Sequence, residues 1–68
     1  MTRTATQIHA DLLTIIENGW HGYNFTQIAK EVDQLAAAAG HDGAALDGAT
    51  LTENAREMVA VLSEIGAI

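Results

Sequence analysis

The sequence has no cysteine and no proline, and it has only one tryptophan, one tyrosine and one phenylalanine. Without cysteine, neither a disulfide framework nor a thiolate metal site can form. No run approaches the ~20 apolar residues that are needed to cross a bilayer. Residues 1–4 include no apolar stretch of the kind that a secretory signal carries. We therefore expect a protein without a membrane span that acts in the cytoplasm.

Positive charge is also scarce. Three Lys and Arg residues stand against nine Asp and Glu residues, which gives a net charge of −6 with neutral histidines. Nucleic-acid binders rely on cations for their phosphate contacts, so the balance argues against that class. The apolar content of 49% is too high for an acidic disordered tail. At 68 residues, we expect one small domain over residues 1–68.

Three segments show the apolar spacing of three and four residues that marks one face of a helix. They cover residues 4–18, residues 26–39 and residues 50–66. Each begins at or just after a residue that can cap a helix, and Gln or Glu stands three positions after that residue, as in a capping box. These predicted caps are Thr4, Asn24 and Thr50. The predicted stop signals are Asn18-Gly19, Gly40 and Gly66.

No segment alternates apolar and polar residues over the length of a strand, so we predict an all-α fold. It is a compact three-helix bundle, or a four-helix variant in which residues 44–46 form one very short helix. The phrase Asp-Gly-Ala occurs twice here, at residues 42–44 and 47–49, and Asp-Gly pairs are typical of turns. Short connections favour helices that cross or run antiparallel. We also expect Ile68 to pack back onto the core.

Residues 24–32 resemble the opening helix of many DNA-binding helix-turn-helix units. In a second alignment, Ala36, Gly40 and Leu46 match the packed small residue, the turn glycine and the first core residue of the recognition helix in that family. The resemblance implies helix-turn-helix packing and an alternative function as a small DNA-binding regulator. Residues 41–53 contain no Lys or Arg, so the phosphate-binding residues of the family have no match and direct nucleic-acid binding is disfavoured.

All three aromatic residues fall within residues 20–25. They can fold back as a lid over the core or form a binding patch that includes Trp20 and Tyr23. We favour the lid, because a chain this short has little else to cover its core.

Catalytic and metal-binding patterns are poor. The three histidines, His9, His21 and His41, are not spaced as metal ligands. The only serine, Ser63, falls within a predicted helix, without the sharp turn that a nucleophile requires. No glycine-rich phosphate loop is present. We therefore expect no enzyme activity, no cofactor and no metal.

The remaining signal is acidic charge along the whole chain. One interpretation is solubility alone, because a net charge of about −2 to −8 is ordinary for a small domain. The other is electrostatic attraction to a basic partner. We expect a small acidic non-enzymatic protein-interaction domain, an inhibitor that masks a basic or nucleic-acid-binding surface of a partner protein. An antitoxin or immunity-type partner is a further alternative. The predicted partner-binding residues are Glu31, Asp33, Asp42, Asp47, Glu53, Glu57, Trp20 and Tyr23.

In size, charge and lack of catalytic motifs, the chain is similar in type to phage-encoded anti-host proteins, including the anti-CRISPR group. Such a viral origin would fit the masking role. A homodimer is also considered, because the alanine run at residues 36–39, together with Val61 and Ile68, could form a second apolar face.

Overall fold

A computed structural model describes residues 3–20 and 22–68. It contains three helices of 14 residues each: α1 (Ala5–Asn18), α2 (Phe25–Ala38) and α3 (Leu51–Glu64). No strand occurs in these described ranges. The prediction of an all-α three-helix bundle is therefore confirmed.

The start of α1 has the full predicted capping box. The Thr4 side chain accepts the Gln7 main-chain N–H at 3.2 Å, and the Gln7 side chain accepts the Thr4 N–H at 2.9 Å. At the start of α2 only half of the box forms. Asn24 accepts the Gln27 N–H at 3.0 Å, while the Gln27 side chain lies 3.4 Å from Glu31 instead.

The start of α3 is also half a capping box. Thr50 accepts the Glu53 N–H at 3.1 Å, as predicted. The Glu53 carboxylate does not return to the N–H of Thr50. It accepts the N–H of Ala49 at 2.7 Å instead, and so fixes the preceding chain.

Two glycines end α2 and α3 in the left-handed conformation that other residues adopt at a cost. Gly40 has φ of +75°, and the next N–H, from His41, donates to the Ala36 carbonyl at 2.8 Å. Gly66 has φ of +74°, and the N–H that follows it donates to Leu62 at 2.9 Å. Both bonds satisfy helix carbonyls that would otherwise lack a donor.

The core is built from the apolar stripes of all three helices, and α1 packs most extensively against α3. Its members are Ile8, Leu12, Ile15, Ile28, Ala29, Val32, Ala36, Ala55, Met58, Val61 and Leu62. Trp20, Tyr23, Phe25 and Leu46 are among the half-buried residues that pack against it.

The predicted second apolar face is not supported in two of its parts. Val61 is only 6% exposed and belongs to the core, because it lies one helical turn after the buried Met58. In the alanine run, Ala36 is buried and residues 37–39 are exposed. The expectation that Ile68 packs onto the core is wrong, since Ile68 is 44% exposed and Ala67 makes that contact.

The connection between α2 and α3, residues 39–50, contains no helix, so the predicted short helix at residues 44–46 is wrong. Leu46 has φ of +56°, a left-handed conformation that a right-handed helix cannot include. The second helix-turn-helix alignment is wrong as well, because it places Leu46 in a recognition helix. Helix-turn-helix units join their helices through a turn of about 3–4 residues, far shorter than this connection.

The same connection also determines which ends of α2 and α3 meet. His41, three residues after α2, bonds to Glu64, the last residue of α3. The C-terminal ends of α2 and α3 therefore lie close together. The connection between these two helices, residues 39–50, is not short, so the expectation for short connections does not apply to this pair.

Candidate functional site: an acidic loop face

Most of the carboxylates gather around one segment, residues 41–50, which we call the return loop. Six of the nine acidic residues lie in it or against it. We call this group the acidic loop face; its members are Asp33, Asp42, Asp47, Glu53, Glu57 and Glu64. All are exposed except Glu57, which is half-buried.

The return loop runs along α3 in the opposite direction to the helix. His41 bonds to Glu64 at the helix end, and Ala49 bonds to Glu53 in the first turn. Asp47 lies beside Glu57 between them. Successive loop residues thus meet successively earlier helix residues, which explains how acidic groups far apart in sequence share one face.

His41 anchors the first half of the loop through both ring nitrogens. Its Nδ1 accepts the main-chain N–H of Gly43 at 3.1 Å. Its Nε2 lies 2.8 Å from a carboxylate oxygen of Glu64. An Nδ1 atom that accepts the Gly43 N–H carries no hydrogen of its own, so in this geometry Nε2 carries the ring hydrogen and donates it to Glu64.

The second half of the loop is held by two side chains of α3. The buried amide of Asn54, 7% exposed, accepts the N–H of Gly48 at 2.8 Å. Glu53 accepts the next N–H, from Ala49, at 2.7 Å. A Cβ added to Gly48 would lie 2.7 Å from the Cβ of Glu53, so only glycine fits this close approach.

The carboxyl groups of Asp47 and Glu57 meet in the middle of the loop. The Asp47 side chain raises the pKa of Glu57, first through a shared hydrogen bond, and loss of solvent and the negative charge of Asp47 act in the same direction. The Oε2 atom of Glu57 is shielded from solvent and receives no donor within the described residues. A proton held between the two carboxyls would satisfy it.

Glu31 is a correction to the predicted site. It is only 2% exposed and cannot meet a partner. Its two oxygens accept the main-chain N–H of Arg3 at 3.0 Å and the Arg3 guanidinium at 2.6 Å. The same guanidinium lies 3.1 Å from Asp11 on α1, so Arg3 ties α1 to α2. The prediction missed the burial because the charged side chain alone suggested a solvent-facing position.

The other predicted acidic residues are where a partner could reach them. Asp42 is exposed and makes no side-chain hydrogen bond among the described residues. Asp33 is exposed on α2 and lies against Gly43, where an added Cβ would be 2.7 Å from its Oδ1. Asp47 and Glu53 are exposed but also hold the loop. Glu64 was missed, because nothing in its local sequence places it beside His41.

The two predicted aromatic anchors are half-buried and pack against the core, which fits the lid interpretation. The Trp20 ring lies 4.9 Å from that of Phe25, at 59° between the ring planes. Its Nε1 is shielded from solvent and finds no acceptor in the described part of the chain. No contact that builds the acidic loop face includes Trp20 or Tyr23, so the structure does not join them to it.

Cations do not neutralise the acidic loop face. Arg3 is occupied by Asp11 and Glu31. Lys30 and Arg56 are exposed, and neither forms an ion pair within residues 3–20 and 22–68. The negative charge of the face is therefore left for solvent or for a partner.

Other kinds of site were sought in the described ranges. Those ranges contain no group of three or more residues that could hold a metal ion, and they enclose no pocket. None of the three helices is long and apolar enough to pass through a lipid bilayer. His9 is half-buried on α1, and His21 lies outside the described residues.

Comparisons with protein families, with characterised proteins and with solved structures found no match to this chain.

Proposed function

We propose that the protein is a small non-enzymatic interaction domain that masks a basic surface of a partner protein with its acidic loop face. The single observation that carries the proposal is the gathering of six carboxylates around the return loop without a Lys or Arg paired to them in the described residues.

Charge placed in this way favours a basic partner for two reasons. Complementary charge speeds association and suppresses wrong partners. A surface that already holds its carboxylates in place also loses little side-chain freedom on binding. Three members of the face are held by contacts to the return loop, namely Glu53, Glu57 and Glu64.

The partner we favour is a nucleic-acid-handling protein, whose groove the domain would occupy in place of phosphates. This is the inhibitor role of an anti-host protein. An antitoxin or immunity protein would use the same face against a different target. The identity of the captured partner separates these two roles.

The test compares two charge reversals of equal size. Asp42→Lys changes the acidic loop face, and Glu17→Lys changes an exposed carboxylate on α1 outside it. Tagged wild type and both variants are used to capture proteins from the native cell extract at low and moderate salt, with and without nuclease. We expect a basic protein partner whose capture resists nuclease, weakens with salt and falls several-fold in Asp42→Lys alone.

Three results would contradict the proposal. Equal capture by both variants would show that the face is not the binding surface. Recovery of nucleic acid that nuclease removes would favour the DNA-binding alternative. Absence of any salt-sensitive partner would leave the acidic charge with a role in solubility only.

A further inference from the structure

The two Asp-Gly bonds of the return loop, at residues 42–43 and 47–48, are chemically reactive in principle. The main-chain nitrogen of a glycine can attack the side-chain carboxyl carbon of the aspartate before it, because glycine has no side chain to obstruct the approach. The attack needs removal of the N–H proton, so a nearby base decides its rate. The two bonds have the same sequence, Asp-Gly-Ala, and they differ only in their surroundings.

At residues 42–43 the surroundings favour the reaction. The Gly43 N–H points at Nδ1 of His41 at 3.1 Å, within the reach required of a general base. Asp42 is exposed, and no hydrogen bond holds its carboxyl group within the described residues.

At residues 47–48 the surroundings oppose it. The Gly48 N–H donates to the Asn54 amide oxygen at 2.8 Å, and an amide oxygen is not a base. The Asp47 carboxyl is engaged by Glu57. The Asn18–Gly19 bond, which can close the same ring with loss of ammonia, lies at the end of α1, where the Gly19 N–H is bonded to Ile15 at 2.7 Å.

We propose that Asp42 is a self-modification site, at which His41 assists the conversion of the Asp42–Gly43 linkage to an isoaspartyl linkage. The Gly43 nitrogen bonds to Cγ of the protonated Asp42 carboxyl while its proton passes to His41 Nδ1. His41 returns that proton to the departing hydroxyl, which leaves as water, and a five-membered succinimide ring remains.

Water then opens the ring, so the net change consumes and releases equal numbers of water molecules. Addition at Cγ restores the original linkage. Addition at the Asp42 main-chain carbonyl carbon breaks its bond to the Gly43 nitrogen, and the chain now runs through the Asp42 side chain. No oxidant, metal or second substrate is required.

Glu64 gives the base its orientation. Its carboxylate holds Nε2 at 2.8 Å, which fixes the ring with Nδ1 towards Gly43. The imidazolium formed in the first step would lie against that negative charge. A nucleophile, a base and an orienting carboxylate in sequence is the arrangement that activates weak nucleophiles in enzymes. Glu64 is a positioning residue here, since it touches neither reacting atom.

The test measures isoaspartate at both bonds of the same chain. Purified protein is incubated near neutral pH, digested and analysed by mass spectrometry with fragmentation that distinguishes the two linkages. An isoaspartyl methyltransferase with a labelled methyl donor supplies an independent count. We expect isoaspartate at Asp42 to exceed that at Asp47 on the order of tenfold, below the ~10²-fold lower end for positioned bases in enzymes.

Two matched variants separate the role of His41 as a base from its role in holding the loop. His41→Asn places an amide oxygen near the position of Nδ1, so it can still accept the Gly43 N–H but is not basic. His41→Gln places its amide near the position of Nε2, so it can keep the contact to Glu64 and lose the contact to Gly43. We expect both to lower isoaspartate at Asp42 and to leave Asp47 unchanged.

Equal accumulation at the two bonds in the wild type would overturn the proposal. An unchanged or higher rate at Asp42 in His41→Asn would overturn it too, because loop mobility would then control the reaction. A reference that needs no variant is the wild-type chain in urea. There the preference for Asp42 over Asp47 must fall towards one, and an equal preference in native and unfolded chains would contradict the role of the folded loop.

Discussion

The carboxylate of Glu31 receives both the main-chain N–H and the guanidinium of Arg3, at 3.0 and 2.6 Å, although the two residues are 28 positions apart. The carboxylate is buried and its partner is one-third exposed. Burial of a charge is unfavourable unless the charge is paired and hydrogen-bonded. The ion pair therefore connects α1 to α2 through Arg3, which precedes α1.

Removal of the Arg3 guanidinium should destabilise the fold. In Arg3→Met, Glu31 keeps the main-chain N–H but loses its charged donor. We expect the free energy of unfolding to fall by about 1–2 kcal/mol, at the low end for a charged hydrogen bond because Arg3 is partly exposed. Urea denaturation measures the change. Lys30→Met, at an exposed cation without an ion pair in the described residues, is the control, with less than about 0.5 kcal/mol. Equal losses of unfolding free energy in the two variants would show that the Arg3–Glu31 ion pair does not stabilise the fold.

Truncation of two neighbouring leucines of α1 should change the stability by very different amounts. Leu12 is fully buried and Leu13 is 45% exposed. Leu12→Ala should cost about 2–5 kcal/mol, which rivals the ~3–5 kcal/mol that a core of this size supplies. We expect the variant to be largely unfolded by circular dichroism at 25 °C. Leu13→Ala should melt within a few degrees of the wild type, and a large loss there would show that Leu13 is covered in solution.

The end of α2 tests the left-handed glycine. Space is open around Gly40, since an added Cβ would meet no atom within 4 Å. The free energy of unfolding should therefore fall in Gly40→Ala only by the cost of a left-handed main chain for alanine, about 1–2 kcal/mol. For a domain of this size, each 1 kcal/mol lowers the melting temperature by roughly 4–8 °C. Thermal melting checks this, and an unchanged melting temperature would mean that Gly40 does not hold φ of +75° in solution.

The Asp47–Glu57 contact should make stability depend on pH. The pKa of Glu57 is raised in the folded protein, mainly by its shared hydrogen bond with Asp47, above its ordinary value of 4.5. The folded state then binds this proton more tightly than the unfolded state. The stabilising contribution of Glu57 is present below the unfolded pKa and is lost as pH rises through the folded pKa.

Glu57→Gln isolates that contribution, because the amide can donate to Asp47 without a second negative charge. We expect the variant to be more stable than the wild type at pH 7, and the difference to shrink as pH falls towards 4.5. Chemical denaturation of both proteins across this range measures it. A difference that is constant with pH would contradict the link to Glu57.

The three helices could be predicted from the sequence because their signals are local. Apolar spacing, the Thr4–Gln7 capping box and the glycines after α2 and α3 all act within a few residues of each other. The predicted capping residues are confirmed in all three helices, although the reciprocal side-chain bond of the capping box forms only in α1. Glu53 bonds to Ala49 because the return loop offers its N–H there, which local sequence does not encode.

The errors lie where distant residues decide the outcome. Leu46 follows two alanines, which favours a helical turn by propensity. It packs against the core instead, with φ of +56°. Glu31 lies one turn after Ile28, on the buried side of α2. Its burial depends on the ion pair with Arg3, which is distant in sequence, so the local pattern does not predict it. Similarly, the contact between His41 and Glu64 spans 23 residues and has no local signal.

The preference of α1 for α3 over α2 has a consequence for synthesis on the ribosome. The helix against which α1 packs most extensively, α3, is translated after both α1 and α2. Until residues 51–64 leave the exit tunnel, the stripe containing Leu12 lacks its main cover, and chaperones or proteases can reach it. Completion of the core is therefore timed by the appearance of α3, so a chain truncated within the return loop would leave the Leu12 stripe without its main cover.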